Sequence, residues 1–281
     1  MISLESSNEK EMKEKSVADR SIKTRSRTLS LSLISLSAAF YAIAIALTSP
    51  IPTPWGVGHF RPGVVIPAFF AVVFGPVIGG VGAAIGCFIG DFALSFFGLT
   101  TPLLSLIAGI PGNFVGFYLL GYLVSKYQSW ASFVLNSFIA LIIGNLIAAL
   151  GVLGYFWFIV PLWASWPIEL KISFTVGLTF FWVVTMIVFV VPLVPILVKY
   201  IEPILIKTGV KGTSIKQSKP ADIIKSSSVV SIIFAGLYAL VMYVPGGNQI
   251  FSGSGLPPEL LILASAIIFV FGLFFAYFAG R

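Results

Sequence analysis

The stretch His59 to Asp91, HFRPGVVIPAFFAVVFGPVIGGVGAAIGCFIGD, constrains this chain most, because charged or polar residues at each end enclose a long apolar run broken once, at Gly75-Pro76. As a single helix, Pro62 to Phe97 would be about 54 Å long, far more than a hydrocarbon core of about 30 Å can cover. The chain must therefore turn back. Gly-Pro is where it can do so, since proline has no amide proton to leave unpaired and glycine tolerates the dihedral angles of a tight reversal. The segment reads as a transmembrane hairpin.

The rest of the chain agrees. Hydrophobic residues make up 58% of it, charged residues 10%, and the mean hydropathy is +1.03, whereas soluble domains carry about 25% charged residues. This is the composition of an integral membrane protein. The net charge of +7 matters through its placement, because Lys and Arg near span ends report the cytosolic side. It gives no support for a nucleic-acid partner. The one cysteine, Cys87, lies within an apolar, Gly-rich run, so it reads as a packing residue, and no disulfide or CxxC metal site is available.

Residues 1–28 carry seven Lys/Arg and five Asp/Glu without apolar periodicity and read as a polar cytosolic tail. Apolar runs follow at about 30–49, 62–75, 76–97, 102–125, 131–160, 172–198, 228–244 and 259–280, each near span length once tilt is allowed. The fold class expected is an all-α integral membrane protein of about eight spans. A six-span domain over 29–200 is followed by a basic cytosolic linker, 201–227, and a two-span C-terminal hairpin, 228–281. With both termini cytosolic, fifteen of the seventeen Lys/Arg fall inside, and only Arg61 and Lys171 fall outside. The N-terminal region also resembles a cleavable signal, but its apolar run is longer than the usual 7–15 residues. No internal repeat of the kind found in many secondary transporters is evident.

Arg61 and Asp91 lie 14 and 15 residues from the Gly75-Pro76 turn, on antiparallel neighbours, so both stand about 21–23 Å above it. They share one depth. Asp91 is the one acid within a span, and an intramembrane carboxylate needs a partner or a watery cavity. The pair reads either as an ion pair pinning the hairpin or as part of a pocket near the outer face. The loop before it holds Trp55 and His59, and the loop between the fifth and sixth spans holds Trp157, Trp163, Trp166, Glu169 and Lys171. Asn113, Asn145, Ser173, Thr175 and Thr179 fall at mid-depth or in the outer halves of their spans, where they could line the same cavity or cross-link helices. Glycines 75, 79, 82, 86 and 90 repeat at three- and four-residue spacing on the third span, and Ala38, Ala42 and Ala46 form an AxxxAxxxA ridge on the first. Both patterns permit close helix approach, to a partner or within the molecule.

Walker A, HExxH and GxSxG motifs and clustered His and carboxylates are missing from the sequence. Nothing in it points to an enzyme, a catalytic residue, a cofactor or a metal site.

The run FRPGVVIPAFFAVVFGPVIGGVGAAIGCFIGD resembles the second and third helices of the substrate-binding S components of energy-coupling-factor (ECF) transporters, and the Ala38, Ala42, Ala46 ridge is similar to their first-helix docking motif. The resemblance implies a non-enzymatic subunit of the cell membrane that captures a vitamin or similar micronutrient in an outward pocket. It implies a separate T component and ATP-binding subunits as partners for transport. The regions that would line the pocket hold Trp55, His59, Asn113, Asn145, Trp157, Trp166 and Glu169, with Arg61 and Asp91 beside them. The charged tail and the C-terminal hairpin depart from the family pattern. Two other readings are a membrane scaffold or assembly subunit without a small-molecule ligand, and a self-contained secondary transporter. A capture subunit needs a cavity of about 300 Å³ or more, whereas a scaffold would fill that space with side chains.

Overall fold

A computed structural model describes residues 27–49, 59–210, 212–213, 215–244, 248–249 and 257–279. Among these residues the regular structure is helical, with no strand. Helix α1 spans Arg27–Thr48; a 3-10 turn, Pro62–Val64, leads into α2, Val65–Phe74; and α3 spans Pro76–Ser95. Gly75 alone joins α2 to α3, with φ +94°, in the left-handed region that favours glycine, and Pro76 occupies the first position of α3. The reversal expected at Gly75-Pro76 is therefore made by one residue.

Pro62–Phe74 is only about 20 Å long and is the one apolar helix among the described residues that falls short of a span, beside seven that are long enough. Its shortness is tolerable because it is an interior helix: every residue of α2 except Ile66 is buried. Helices α1 and α3 and the later helices over Pro102–Tyr127 and Ile168–Lys207 surround it. Helix α4 runs Pro102–Tyr127, interrupted by a π-helical turn at Ser105–Gly109, and is capped by Thr101, whose hydroxyl accepts from the Leu104 amide. Helix α5, Trp130–Ile159, starts at the Ser129 cap. A short turn, Pro161–Ala164, leads to α6, Ile168–Lys207.

Helix α6 is 40 residues long, about 60 Å, and contains Pro192, Pro195 and Pro203. The apolar run ends at Val198, but the helix continues into the expected linker, where Lys199, Glu202 and Lys207 alternate with apolar residues. Helix α7 begins at Pro220 and ends at Tyr243, and α8 spans Glu259–Ala279. The connection between α6 and α7, Thr208–Lys219, is non-helical at its described residues. It works as a strap across one end of the bundle: Thr213 donates its amide to Val73 O (2.7 Å), Lys216 to Gln128 O (2.8 Å), and the Ser218 hydroxyl accepts from the Ala131 amide (2.9 Å). The C-terminal hairpin packs on α5, through Phe138–Phe234 and Trp130–Phe275 ring contacts, and on α6.

The glycine face of α3 is the point of closest packing. A methyl group on Gly82 would lie 2.6 Å from Ser37 Oγ, and one on Gly86 would lie 2.7 Å from Ala38 O, both on α1. The alanine ridge meets this face. Ala38 and Ala42 are buried, while Ala46 is exposed. Two of the three ridge residues expected at a partner interface are therefore occupied inside the molecule, because the glycines of α3 let α1 approach closely enough to cover them. The outward face of α1 instead carries Leu36, Ala39, Phe40, Ile43, Ala46 and Leu47.

Candidate functional site

Because α2 and α3 are antiparallel, Arg61 and Asp91 meet as expected: Arg61 Nη2 donates to Asp91 Oδ1 at 2.5 Å, with both side chains almost fully buried. Around them lies a larger polar network. Arg61 Nη1 donates to Cys87 Sγ (3.1 Å), the Ser105 hydroxyl to Asp91 Oδ2 (2.7 Å), and Asn113 Nδ2 to Cys87 Sγ (3.2 Å) and Gly109 O (2.9 Å). Tyr41 of α1 donates its hydroxyl to Asn113 Oδ1 (2.9 Å). Both carboxylate oxygens of Asp91 are thus held by protein groups, which is how a carboxylate persists in an apolar interior.

The π turn positions Ser105. It widens the start of α4 by a residue per turn and presents the Ser105 hydroxyl to Asp91, and such turns recur at functional sites. Gly109, at its end, allows the close fit, since a methyl group there would meet Ser105 Oγ at 2.9 Å and Cys87 Sγ at 3.0 Å.

This network forms one wall of a cavity. His59, Arg61, Asp91, Asn113 and Asn145 line it together with Thr100, Ser105, Trp182 and Met186, and Leu104, Ala108, Ala148 and Val152 supply apolar surface. Asn145 Nδ2 lies 3.4 Å from Met186 Sδ. His59 Nε2 lies 2.6 Å from Leu99 O, and Trp182 donates its indole N–H to His59 O at 3.2 Å. Since a carbonyl only accepts, His59 Nε2 carries the proton in that bond, and in a neutral ring Nδ1 is an acceptor. Among the described residues, His59 Nδ1 and Arg61 Nε are buried without a hydrogen-bond partner. A buried polar atom left unpaired costs about 1–3 kcal/mol, and both of these atoms belong to residues that line the cavity.

Five of the nine expected pocket residues therefore share one cavity. Trp55 lies outside the described residues. Trp157, Trp166 and Glu169 do not line the cavity. Glu169 is exposed in the first turn of α6, where a carboxylate complements the helix dipole. Trp166 stacks on Trp163 (centroids 4.3 Å apart), which stacks on Phe156 (4.6 Å), while Trp157 lies under Lys171 Nζ (3.7 Å). These rings pack against one another around the connection between α5 and α6. Thr175 and Thr179 are spent on carbonyls one turn back in their own helix. Tyr41, Cys87, Ser105 and Trp182 belong to the site without having been singled out as pocket residues by sequence reasoning.

The cavity volume is about 50 Å³, room for a few waters and well below the roughly 300–1,000 Å³ of a small-molecule site. In the conformation described, side chains fill most of the space a ligand would take.

A family model described as "ECF-type riboflavin transporter, S component" matches residues 25–199, the span of α1 to most of α6. No curated protein and no solved structure matches the chain.

Proposed function

Since the chain belongs to the family of ECF-type riboflavin transporter S components, we propose that the cavity between α2, α3, α4, α5 and α6 captures a flavin, riboflavin itself, for import. As an S component the chain is the substrate-binding membrane subunit of such a transporter. The T component, the ATP-binding subunits and the cytosolic position of both termini are part of the proposal. The observation that carries it is the polar lining of the cavity, where His59 and Arg61 each keep a buried nitrogen, Nδ1 and Nε, without a hydrogen-bond partner. A flavin's imide edge presents an N–H between two carbonyls, and an imidazole nitrogen and a guanidinium supply an acceptor and a donor of the matching kind. The amides of Asn113 and Asn145 add polar capacity, and Trp182 offers an indole face for a flat ring system.

A ring system of that size requires the cavity to widen. The outward face of α1 is the surface left for a T component.

Quenching of riboflavin fluorescence on titration with the purified protein tests the proposal. A saturable 1:1 quench, weakened by Asn113→Ala and Trp182→Ala in protein of unchanged thermal stability, supports it. The small cavity favours a second reading, a membrane scaffold without a ligand. No quench, together with native mass spectrometry that finds no small molecule retained, decides for the scaffold.

A further inference from the structure

At the opposite end of the bundle the C-terminal hairpin does not lie flush against the six preceding helices. A second cavity, of about 210 Å³, opens where the start of α5, the C-terminal part of α6, the strap and the end of α8 converge. Its inner surface is apolar and aromatic: Trp130, Pro195, Val198, Ile215 and Phe275, with the Trp130 and Phe275 rings edge to face at 5.8 Å. Its remaining lining is the exposed polar set Lys199, Glu202 and Gln217. Lys207, Lys216, Lys219 and Lys225 lie on the strap and the helix ends beside it, and the one other acid nearby, Asp222, is 3.9 Å from Lys225. The surrounding field is positive.

An aromatic floor under a cationic rim, at the level where apolar helices leave the hydrocarbon, fits a molecule that is anionic at one end and apolar at the other. We propose that this cleft binds one anionic phospholipid, its phosphate against Lys199 and Gln217 and the start of an acyl chain against Trp130 and Phe275. A soluble anion would gain nothing from the aromatic floor. A zwitterionic headgroup would bring its ammonium among the lysines. The lipid would fill the seam between the six-helix unit and the hairpin, so it would bind only a chain that carries both.

Native mass spectrometry of the full chain, released from nanodiscs of mixed phosphatidylglycerol and phosphatidylcholine, tests this. One phosphatidylglycerol should be retained per chain in preference to phosphatidylcholine. Lys199→Gln should weaken retention about fivefold, the worth of one cation at an anionic headgroup. Glu202→Gln should strengthen it, and this opposite sign separates a charge effect from general damage to the cleft. Equal retention of the two lipids, preference for phosphatidylethanolamine in discs that contain it, unchanged retention in both variants, or displacement by inorganic phosphate alone would each overturn the proposal.

Discussion

Asp91 sits almost fully buried among groups that all donate to it, so its charge is held by the fold whether or not a ligand is present. Asp91→Ala leaves the Arg61 guanidinium buried and unpaired and is expected to destabilise the protein by about 3–5 kcal/mol, read as a fall in unfolding temperature in detergent. Replacing both partners, as Arg61→Met with Asp91→Leu, removes the stranded charge and should restore most of that stability. The double variant then separates two roles. If it folds and binds flavin with wild-type affinity, the pair only pins the hairpin; the place of Arg61 and Asp91 in the cavity lining argues for lost binding. Arg61 and Asp91 were legible in the sequence because their distances from a recognisable turn set their depth. Ser105 was not, because its approach to Asp91 depends on a π turn that leaves no periodic signature. Tyr41 and Trp182 were hidden as aromatic residues in apolar runs, with nothing to show that their polar atoms face inward. Trp157, Trp166 and Glu169 were grouped with the pocket by membrane side alone, which fixes neither depth nor facing.

Helix α3 is the element on which the bundle closes, with α1, α2 and α4 packed against it. Gly86→Leu would drive a side chain into Ala38 O and the Tyr41 side chain, and Tyr41 is hydrogen-bonded to Asn113. The variant is expected to destabilise the protein by about 1–3 kcal/mol and to weaken ligand binding with it, measured by thermal unfolding and by the flavin titration. Gly154→Ala in α5 is the control, since a methyl group there meets nothing within 4 Å; it should leave stability unchanged or raise it by about 0.5–1 kcal/mol. The small-residue faces of α1 and α3 were plain in the sequence, and what fills them was not. Spacing shows that a helix can approach and leaves open whether it comes from the same chain. The lengths of α6 and α7 were underestimated for a related reason: hydropathy marks where a helix leaves the apolar layer, whereas the helices run on through Lys207 and start at Pro220.

At the scale of the whole molecule, the placement of lysines and the path of the chain make the same claim about sidedness. Six helices separate the N-terminal tail from the strap, so in the proposed topology, with the short α2 counted as one pass, the two share one side of the membrane and the connection between α5 and α6 lies on the other. By the positive-inside rule the tail and strap would be the cytosolic side. Cys87 is fully buried, so cysteines introduced singly at surface positions can be labelled with little background. In intact cells a membrane-impermeant maleimide should label Ser165→Cys, and it should label Ser6→Cys and Lys216→Cys only after permeabilisation. Labelling of Lys216→Cys alone from outside would break the parity and with it the two-pass hairpin at Gly75-Pro76. Labelling of both Ser6→Cys and Lys216→Cys from outside would keep the parity but invert the protein, turning the end of the bundle that holds the cavity toward the cytosol. In that orientation the cavity could not capture a nutrient from outside, so the same three cysteines that test the topology also decide whether the site faces the right way to serve uptake.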